Sequence, residues 1–397
     1  MTEYSNLSLD LHREKRGKWE IHSKFPLENK HDLSLAYTPG VASVSERIAN
    51  NPREAYNLTM KGNSVAIISD GSAVLGLGDI GPEASLPVME GKAILFKEFA
   101  DIDGIPIVLN THTVEDIVKT VKAIAPTFGG INLEDIKAPK CFAIEAALQD
   151  IGIPVFHDDQ HGTAVVLLAA LINACRITGK KMEDLVVVIN GAGAAGSAIA
   201  KLLRCIGHDP SVCTSVKHVY LCDSKGLIHK GRQDLHPYKR ELLEYTNPES
   251  RSGTIFDALE KADVFIGVSI GNLLSPDDIK HMAPDPIILA MANPIPEIMP
   301  EVAKQAGAAI VGTGRSDFAN QVNNALAFPG IFRGALDAHA MRITESMKIA
   351  AAYALADAVK DPSVEKILPY TLDKSVVPLI AEAVKQTALA EGVGRED

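Results

Sequence analysis

The sequence predicts an α/β protein whose strands form mostly parallel sheets covered by helices. Short apolar runs such as 64–69, 105–109 and 185–189 alternate with longer helical patterns along most of the 397 residues, and this alternation is typical of βαβ units. A chain of this length is long for one hydrophobic core, so we expect two domains. We place an N-terminal α/β domain with a mostly parallel sheet at residues 1–160 and a doubly wound α/β domain, followed by C-terminal helices, at residues 161–397.

Composition and charge are those of an ordinary soluble globular protein. Hydrophobic residues make up 46% of the chain and charged residues 22%, which are usual proportions. The net charge of −11 argues against a nucleic-acid partner or an anionic membrane, because no surplus of lysine and arginine exists to neutralise phosphates. The longest apolar run, residues 164–172, is shorter than the roughly 20 residues that a membrane-spanning helix needs.

The cysteine pattern and the N-terminal residues predict a cytoplasmic protein. The five cysteines form neither metal-type pairs nor an even disulfide framework, so we expect all of them to be reduced thiols. They are Cys141, Cys175, Cys205, Cys213 and Cys222. The residues that follow Met1 lack the apolar core of a signal peptide.

Acidic residues follow two strands of the first half, at the point where each strand ends. These acids are Glu134, Asp135, Asp158 and Asp159. The strands are predicted within 129–136 and over 153–156, and the carboxyl ends of parallel strands meet at the ligand-binding edge of a sheet. Oxygen-only ligands suit a hard cation such as Mg²⁺ or Mn²⁺. The alternative for the second pair is an ordinary Asp-Asp turn that leads into a helix beginning near Thr163.

Two further side chains could transfer protons. Lys92 lies on a helix predicted over 87–99 among mostly apolar neighbours, and a lysine desolvated in this way can act as a base near neutral pH. The alternative is a lysine whose side chain extends to solvent. Tyr37 lies in a turn with Pro and Gly, before a helix predicted over 41–50. Its alternative is a half-buried packing residue.

A glycine-rich turn in the second half predicts a dinucleotide site. The strand 185–189 leads into Asn190-Gly191-Ala192-Gly193-Ala194-Ala195-Gly196 and then a small-residue helix, which is the G-x-G-x-x-G fingerprint in its strand–turn–helix context. Gly191 makes the tight turn, Gly193 admits the pyrophosphate, and Gly196 lets the helix lie close to the strand. The N-terminus of the helix then faces the phosphates. The second domain is therefore predicted to be a Rossmann-type NAD(P)-binding domain.

Later strand ends supply further candidate binding residues. The strand predicted over 219–222 ends at Asp223, where an acid can bind both ribose hydroxyls. An insertion near 207–216 places this acid later than the usual spacing. Asn293 and the pair Asn323-Asn324 are amides that could bind a carboxylate. The alternative for such residues is a role in turns or helix caps.

Together these segments resemble the malic enzymes, and within them the short prokaryotic-type form. The resemblance covers nearly the whole chain and rests on Tyr37-Thr-Pro-Gly-Val-Ala42, Leu75-Gly-Leu-Gly-Asp-Ile-Gly81, Gly91-Lys92, Ile131-Asn-Leu-Glu134-Asp135, Val155-Phe-His-Asp-Asp-Gln-His-Gly-Thr163, Ala292-Asn293-Pro294, Gly314-Arg-Ser-Asp-Phe318 and Asn323-Asn-Ala-Leu-Ala-Phe-Pro-Gly330. It implies that (S)-malate is oxidised and decarboxylated to pyruvate and CO₂. NAD or NADP is reduced, and a divalent metal, Mg²⁺ or Mn²⁺, is required.

The resemblance also implies roles for individual residues. The family's metal ligands correspond to Glu134, Asp135 and Asp159. Its general base corresponds to Lys92, which also contacts substrate, and the carboxylate beside that base corresponds to Asp158. The acid that protonates the enol corresponds to Tyr37.

The substrate contacts implied by the resemblance differ in one respect from those of longer relatives. The amides that contact substrate correspond to Asn293 and Asn324, and Asn293 also lies near the nicotinamide. Longer eukaryotic relatives carry an arginine in the glycine loop that binds a substrate carboxylate, and this chain has Ala73 there. The carboxylate must then be held by asparagine side chains or by backbone amides.

Two other functions match parts of the pattern. An amino-acid dehydrogenase would share a sheet domain, a Rossmann domain and a catalytic lysine, but it would not need the acid cluster. A non-enzymatic dinucleotide-binding protein would bind NAD without turning over malate. We expect NAD to be preferred because Asp223 would repel a 2′-phosphate, although Ser224, Lys225 and Lys230 could favour that phosphate. A homodimer or higher homo-oligomer is expected from the resemblance only.

Overall fold

The protein contains two mostly parallel sheets that are joined by a long buried helix. The computed structural model describes residues 3–74, 76–208 and 211–395. Leu75, which opens one of the glycine-rich motifs, lies outside the described residues. The first half of the chain contains a four-stranded sheet and the second half a six-stranded sheet. The predicted α/β fold class is confirmed.

Four helices precede the first sheet and lie largely on the surface. They are α1 (Glu3–Lys15), α2 (Lys30–Ala36), α3 (Val41–Asn50) and α4 (Ala55–Leu58), with 3₁₀ turns at Pro52–Glu54 and Met60–Asn63. The helix predicted over 41–50 is confirmed. None of the residues of α2, α3 or α4 is buried, so this segment contributes little to the core of the chain.

The first sheet consists of four parallel strands covered by helices. The strands are β1 (Ser64–Ser69), β2 (Asp103–Val108), β3 (Gly130–Leu133) and β4 (Val155–His157), in the spatial order β2-β1-β3-β4. Every residue of β1 and β3 is buried, as expected for parallel strands covered on both faces. The helices between them are α5 (Pro82–Ala100), α6 (Val114–Ile124), a 3₁₀ turn at Ala125–Thr127, and α7 (Lys140–Leu148).

Helix α8 (Asp158–Thr178) connects the two sheets and lies in the core. It is long and apolar enough to cross a membrane, but 72% of its most apolar window is buried inside the protein, as in the core helix of a soluble protein. The predicted start near Thr163 is wrong, because α8 begins at Asp158 with His157 as its N-cap residue. Acidic residues are favourable in the first turn of a helix, so the two aspartates continue into the helix rather than form a separate turn.

The second sheet is doubly wound. A 3₁₀ turn at Met182–Asp184 leads to β5 (Val186–Asn190), β6 (His218–Asp223), β7 (Gly226–Leu227), β8 (Val264–Gly267), β9 (Ile287–Ala290) and β10 (Ile310–Thr313), in the order β10-β9-β8-β5-β6-β7. Only β7 is antiparallel to its neighbour among these described strands. The connecting helices are α9 (Ala194–Leu203), α10 (Pro237–Leu242), α11 (Ile255–Leu259), α12 (Pro276–Lys280) and α13 (Pro300–Gln305). The strand order reverses between β5 and β8, which is where doubly wound sheets bind ligands.

The C-terminal helices return to the core of the first half. They are α14 (Phe328–Asp337), α15 (Glu345–Asp357) and α16 (Val376–Ala390), preceded by a 3₁₀ turn at Asn324–Leu326. The ring centroids of Phe328 and Phe332 lie 4.8 and 5.3 Å from that of Phe96 on α5. The ring centroid of Phe332 also lies 5.8 Å from that of Phe156 on β4. Residues beyond 160 thus complete the core around the first sheet, and the domain boundary at residue 160 stays a prediction.

Two of the five cysteines form a disulfide, so the expectation of five reduced thiols is wrong. Cys205 and Cys213 lie in the insertion between α9 and β6. Their Cα atoms are 5.9 Å apart, which is within the usual range for a disulfide. The other three cysteines are free and buried.

Candidate functional site

The predicted acids converge at the carboxyl edge of the first sheet. β3 and β4 are parallel neighbours, with Leu133 paired to His157, so the residues that follow them meet. Glu134, Asp135 and Asp159 each offer an oxygen, and these three oxygens lie within 4.8 Å of one another. The backbone N–H of Asp135 also donates to Asp159 at 2.9 Å. The two strand ends are therefore joined directly at the carboxylate cluster.

The electrostatics of this cluster match a cation site. Burial raises the pKa of Glu134 well above its usual range, Lys92 lowers it, and the charges of Asp159, Asp158 and Asp135 raise it further. A divalent cation would relieve that repulsion, and a donor set made only of carboxylates suits Mg²⁺ or Mn²⁺. The residues present therefore fit the predicted metal.

Lys92 lies within this cluster and not at the surface. Its Nζ donates to Asp158 at 2.6 Å and lies 3.0 Å from Glu134. Its side chain is 7% exposed, so the alternative of a lysine that extends to solvent is wrong. Nζ also lies 4.2 Å from the ring centroid of Phe328, which is a cation–π distance.

The pKa of Lys92 differs from the sequence expectation in this cluster. Burial lowers the pKa, but the charges and hydrogen bonds of Asp158 and Glu134 outweigh burial and hold the pKa above its ordinary value. The lowered pKa expected from the sequence rested only on the apolar neighbours of Lys92 along its own helix. The carboxylates of Asp158 and Glu134, which the fold brings from other elements, were not part of that expectation.

Asp158 accepts hydrogen bonds from two distant parts of the chain. It is fully buried, and its Oδ2 accepts from Lys92 and from the side-chain amide of Asn324. Asn324 comes from the turn before α14, so the C-terminal helices contribute to this site. A Cβ at Gly162 would lie 1.9 Å from Asp158 Oδ1. Only glycine at 162 leaves room for this arrangement.

Two of the predicted site residues are not brought to the cluster. Tyr37 is the C-cap residue of α2, and its side chain is 67% exposed. Within the described part of the chain, no hydrogen bond is formed by its hydroxyl. Asn293 is exposed beyond the end of β9. A Cβ at Gly76 would lie 3.4 Å from the Asn293 carbonyl oxygen, so Asn293 lies next to the glycine loop of the first half.

At Ala73, where longer relatives carry an arginine, the chain contributes a backbone hydrogen bond and no charged side chain. The N–H of Ala73 donates to the carbonyl oxygen of Asp135 at 2.9 Å. This bond fixes the glycine loop against the carboxylate cluster, but it leaves no charged side chain at residue 73.

The glycine-rich turn has the geometry that the fingerprint requires. Gly191 has a φ of +121°, and a Cβ there would lie 2.6 Å from the carbonyl oxygen of Val268. A Cβ at Gly196 would lie 1.8 Å from the carbonyl oxygen of Gly191, whereas a Cβ at Gly193 would meet nothing within 4 Å. α9 begins at Ala194, within the fingerprint, and the open space at Gly193 lies at its N-terminus, where a pyrophosphate would bind.

Asp223 at the end of β6 is surrounded by positive charge. Its Oδ1 accepts from Arg232 at 2.8 Å and from the backbone of Lys225 at 3.0 Å. Its Oδ2 accepts from Arg232 at 3.1 Å and from Lys239 at 2.6 Å. Burial opposes ionisation, but Arg232 and Lys239 lower the pKa of Asp223 to about 2. Sequence reasoning missed Arg232 and Lys239, which lie 9 and 16 residues after the acid in no diagnostic pattern.

Family comparisons agree with both halves of this arrangement. Residues 16–149 match the model of the malic enzyme N-terminal domain, and residues 160–389 match that of the malic enzyme NAD binding domain. The chain belongs to the malic enzyme family. It is 54% identical to the bifunctional malic/malolactic enzyme of Bacillus subtilis (strain 168), over 98% of this chain and 94% of that protein. It is 53% identical to the NAD-dependent malic enzyme of Geobacillus stearothermophilus, over 96% of this chain and 78% of that protein.

Solved structures show the same fold for this malic enzyme. The crystal structure of the NAD-dependent malic enzyme from Thermotoga maritima aligns with a TM-score of 0.90 at 50% identity, covering 95% of this chain and 98% of that one. The protein is therefore an NAD(P)-dependent oxidoreductase that oxidises and decarboxylates malate. The alternatives of an amino-acid dehydrogenase and of a non-enzymatic binding protein are wrong. Relatives carry both NAD-dependent and NADP-dependent names.

The carboxylate cluster predicts the effect of removing one ligand charge. We expect Asp159→Asn to reduce malate turnover by at least about 100-fold, because one of the three carboxylates predicted to bind the metal is lost. Asparagine has nearly the same volume, so the thermal unfolding midpoint and NADH binding should be retained. The measurement is the malate-dependent absorbance change at 340 nm.

Asp150 provides a matched control for this substitution. It is exposed after α7 and away from the cluster, so Asp150→Asn should behave as the wild type. Wild-type activity of Asp159→Asn at ordinary Mg²⁺ or Mn²⁺ concentrations would contradict the assignment of the metal ligands.

Proposed function

We propose that malate is bound and converted at the carboxyl edge of the first sheet. The proposed metal ligands are Glu134, Asp135 and Asp159. Lys92 is the proposed general base, and Asp158 holds its amine in place. The observation that carries this proposal is the 2.6 Å contact between Lys92 and Asp158 beside three carboxylates with oxygens within 4.8 Å of one another. The Asp159 measurement described above tests it.

The proton steps follow from the chemistry of a 2-hydroxy acid. Hydride can leave C2 for the nicotinamide only as the C2 hydroxyl loses its proton, and Lys92 in its neutral form takes that proton. Asp158 and the ring of Phe328 hold Nζ in one position, so the transfer occurs at a defined atom. When bound, the divalent cation supplies Lewis acidity toward the C2 oxygen. After CO₂ leaves, C3 must be protonated, and Tyr37 is the proposed acid.

The substrate carboxylates require donors that do not depend on an arginine. Because residue 73 contributes only backbone, we assign malate contacts to Asn324 and Asn293. Asn324 lies beside Asp158, and Asn293 lies beside the glycine loop and beyond β9 of the nucleotide-binding sheet. These two amides would contact malate from the C-terminal helices and from the second sheet, respectively.

The exposure of Tyr37 supports a homodimer in which each site takes this residue from the other subunit. Tyr37 is 67% exposed and is not brought to the carboxylate cluster of its own chain. It is therefore not placed to protonate C3 in the site of its own subunit. The preceding segment also exposes large apolar side chains: Tyr4, Leu7, Leu9, Leu11, Ile21, Phe25, Leu27, Leu33 and Leu35. So many exposed large apolar side chains in one segment are typical of a protein interface. A second copy related by a two-fold axis would cover this surface and receive Tyr37 in exchange.

Mixing two inactive variants tests this arrangement. Lys92→Ala and Tyr37→Phe should each reduce malate turnover by about 10²–10⁴-fold, the usual effect of losing a positioned acid or base. In a mixed dimer, one site would contain an intact Lys92 from one subunit and an intact Tyr37 from the other. Unfolding and refolding an equal mixture should therefore restore roughly a quarter of wild-type activity. If Tyr37 acted in its own subunit, every site would lack one group and no activity would return.

The cations around Asp223 support use of NADP as well as NAD. The NAD preference expected from the sequence assumed a free carboxylate, but both oxygens of Asp223 already accept two donors each. Arg232 and Lys239 offset its charge, so the electrostatic reason to exclude a 2′-phosphate is removed. We infer that the 2′-phosphate of NADP would bind beside Lys239. The NAD preference itself stays a prediction.

Substitution of Lys239 tests this inference. Lys239→Ala should lower kcat/KM for NADP by about 10- to 100-fold, the value of a hydrogen bond to a charged group. The change with NAD should be much smaller, because NAD has no 2′-phosphate. Both values come from initial rates at saturating malate. Lys280→Ala, which removes an exposed lysine on α12, is the control. Equal losses with both dinucleotides would contradict this role for Lys239.

A cytoplasmic location is part of the same proposal. The three buried free thiols support a reducing compartment. The disulfide between Cys205 and Cys213 counts against it, because disulfides are rare in the cytosol.

A further inference from the structure

Two of the proposed site carboxylates, Asp158 and Asp159, form the first turn of α8; we call them the α8 acidic pair. Their positions depend on where this turn lies. A cavity of about 440 Å³ borders the turn and is lined by Gln160 and His161, but not by the acidic pair. Side chains that face this cavity lack close packing on that side, so hydrogen bonds help to fix this part of the turn.

Those hydrogen bonds converge on one carboxylate, that of Glu145 on α7. It accepts from the backbone N–H of His157 at 3.0 Å, from the side chain of Gln160 at 3.2 Å, and from Nε2 of His161 at 2.9 Å. His157 immediately precedes the acidic pair, and the other two donors immediately follow it. We propose that Glu145 is a positioning residue that orients the acidic pair, and with it the proposed metal ligand Asp159.

The charge and the partners of Glu145 support this role. Burial opposes its ionisation, but His161, Lys348 and His157 lower the pKa of Glu145 to about 2. A carboxylate that remains ionised can accept all three hydrogen bonds. None of its donors is a proposed metal ligand, so Glu145 acts on the metal site only through the backbone of α8.

Lys348 extends the network to the C-terminal helices. Its Nζ lies 3.2 Å from Nδ1 of His161, and it is 4% exposed on α15. An ammonium group only donates, so Nδ1 accepts and Nε2 carries the proton that His161 donates to Glu145. Nζ of Lys348 also donates to Glu345 at 2.5 Å. Glu145 therefore links α7, α8 and α15 at the turn that carries the acidic pair.

Binding of Mn²⁺ alone tests the proposal, which rests on the proposed metal ligands. Glutamine at 145 has the size of glutamate, but it presents an amide NH₂ to at least one of the three donors. The dissociation constant of Mn²⁺, measured from the electron paramagnetic resonance signal of the free ion without malate or dinucleotide, should rise about 10- to 100-fold in Glu145→Gln. The thermal unfolding midpoint is recorded for each variant.

Glu345→Gln is the matched control. Glu345 is a second glutamate bound to the same lysine, and the described contacts of its side chain include no atom of the α8 first turn. A general loss of network stability would weaken Mn²⁺ binding in both variants. A positioning role predicts weaker Mn²⁺ binding only in Glu145→Gln. The dissociation constant of Glu345→Gln should remain within about twofold of the wild-type value.

The outcomes separate this proposal from the proposed function. An unchanged Mn²⁺ dissociation constant in a folded Glu145→Gln, or equal losses in both variants, would overturn the positioning role and leave the metal site standing. A wild-type enzyme that binds no Mn²⁺ would overturn both. If Glu145→Gln does not fold, His161→Gln decides, because it removes the ring between Glu145 and Lys348 and leaves the carboxylate in place. A several-fold rise in its dissociation constant supports the proposal, and no rise overturns it.

Discussion

An imbalance of charge in a buried volume is the constraint on which this site depends. Lys92 compensates Asp158 and Glu134 at 2.6 and 3.0 Å, whereas Asp135 and Asp159 add negative charge at the same strand ends. Removing such groups from water costs several kcal/mol for each ion unless they are paired. A divalent cation bound by these carboxylates would supply the missing positive charge. It would also reduce the negative charge that holds the pKa of Lys92 high, so that the same ligand set prepares the base.

The fold meets this constraint with elements that are distant in sequence. Helix α5 supplies Lys92, the edge of the first sheet supplies the carboxylates, and the segment that opens α14 supplies Asn324 and Phe328. Because α8 begins inside the site and then passes through the core to the second sheet, it connects the proposed metal site to the sheet that carries the glycine turn. The proposed sites of proton transfer and hydride transfer are thereby linked by one buried helix.

Local patterns predicted the fold and the acidic residues at its strand ends better than they predicted side-chain contacts. Residues 64–69 form the predicted strand, and the acids that follow β3 and β4 meet as expected, because strand periodicity and parallel pairing are local rules. The predicted start of α8 was wrong, because adjacent aspartates suit both a turn and a helix N-terminus. Glu145 was not predicted, since its carboxylate on α7 meets its three donors at the start of α8 only in the folded chain. The exposure of Tyr37 was also not predicted. The sequence does not show which surface of one subunit a second subunit would cover.

Removal and return of the metal tests the central claim most directly. The enzyme is dialysed against EDTA, and Mn²⁺ is then added stepwise while bound ion and malate-dependent formation of reduced dinucleotide are both measured. We expect the enzyme without metal to be folded and inactive. Its turnover should then return in proportion to bound Mn²⁺ and saturate at about one ion per chain. Full turnover by the folded enzyme after the metal has been removed would contradict the claim that the Glu134, Asp135 and Asp159 carboxylates act through a cation.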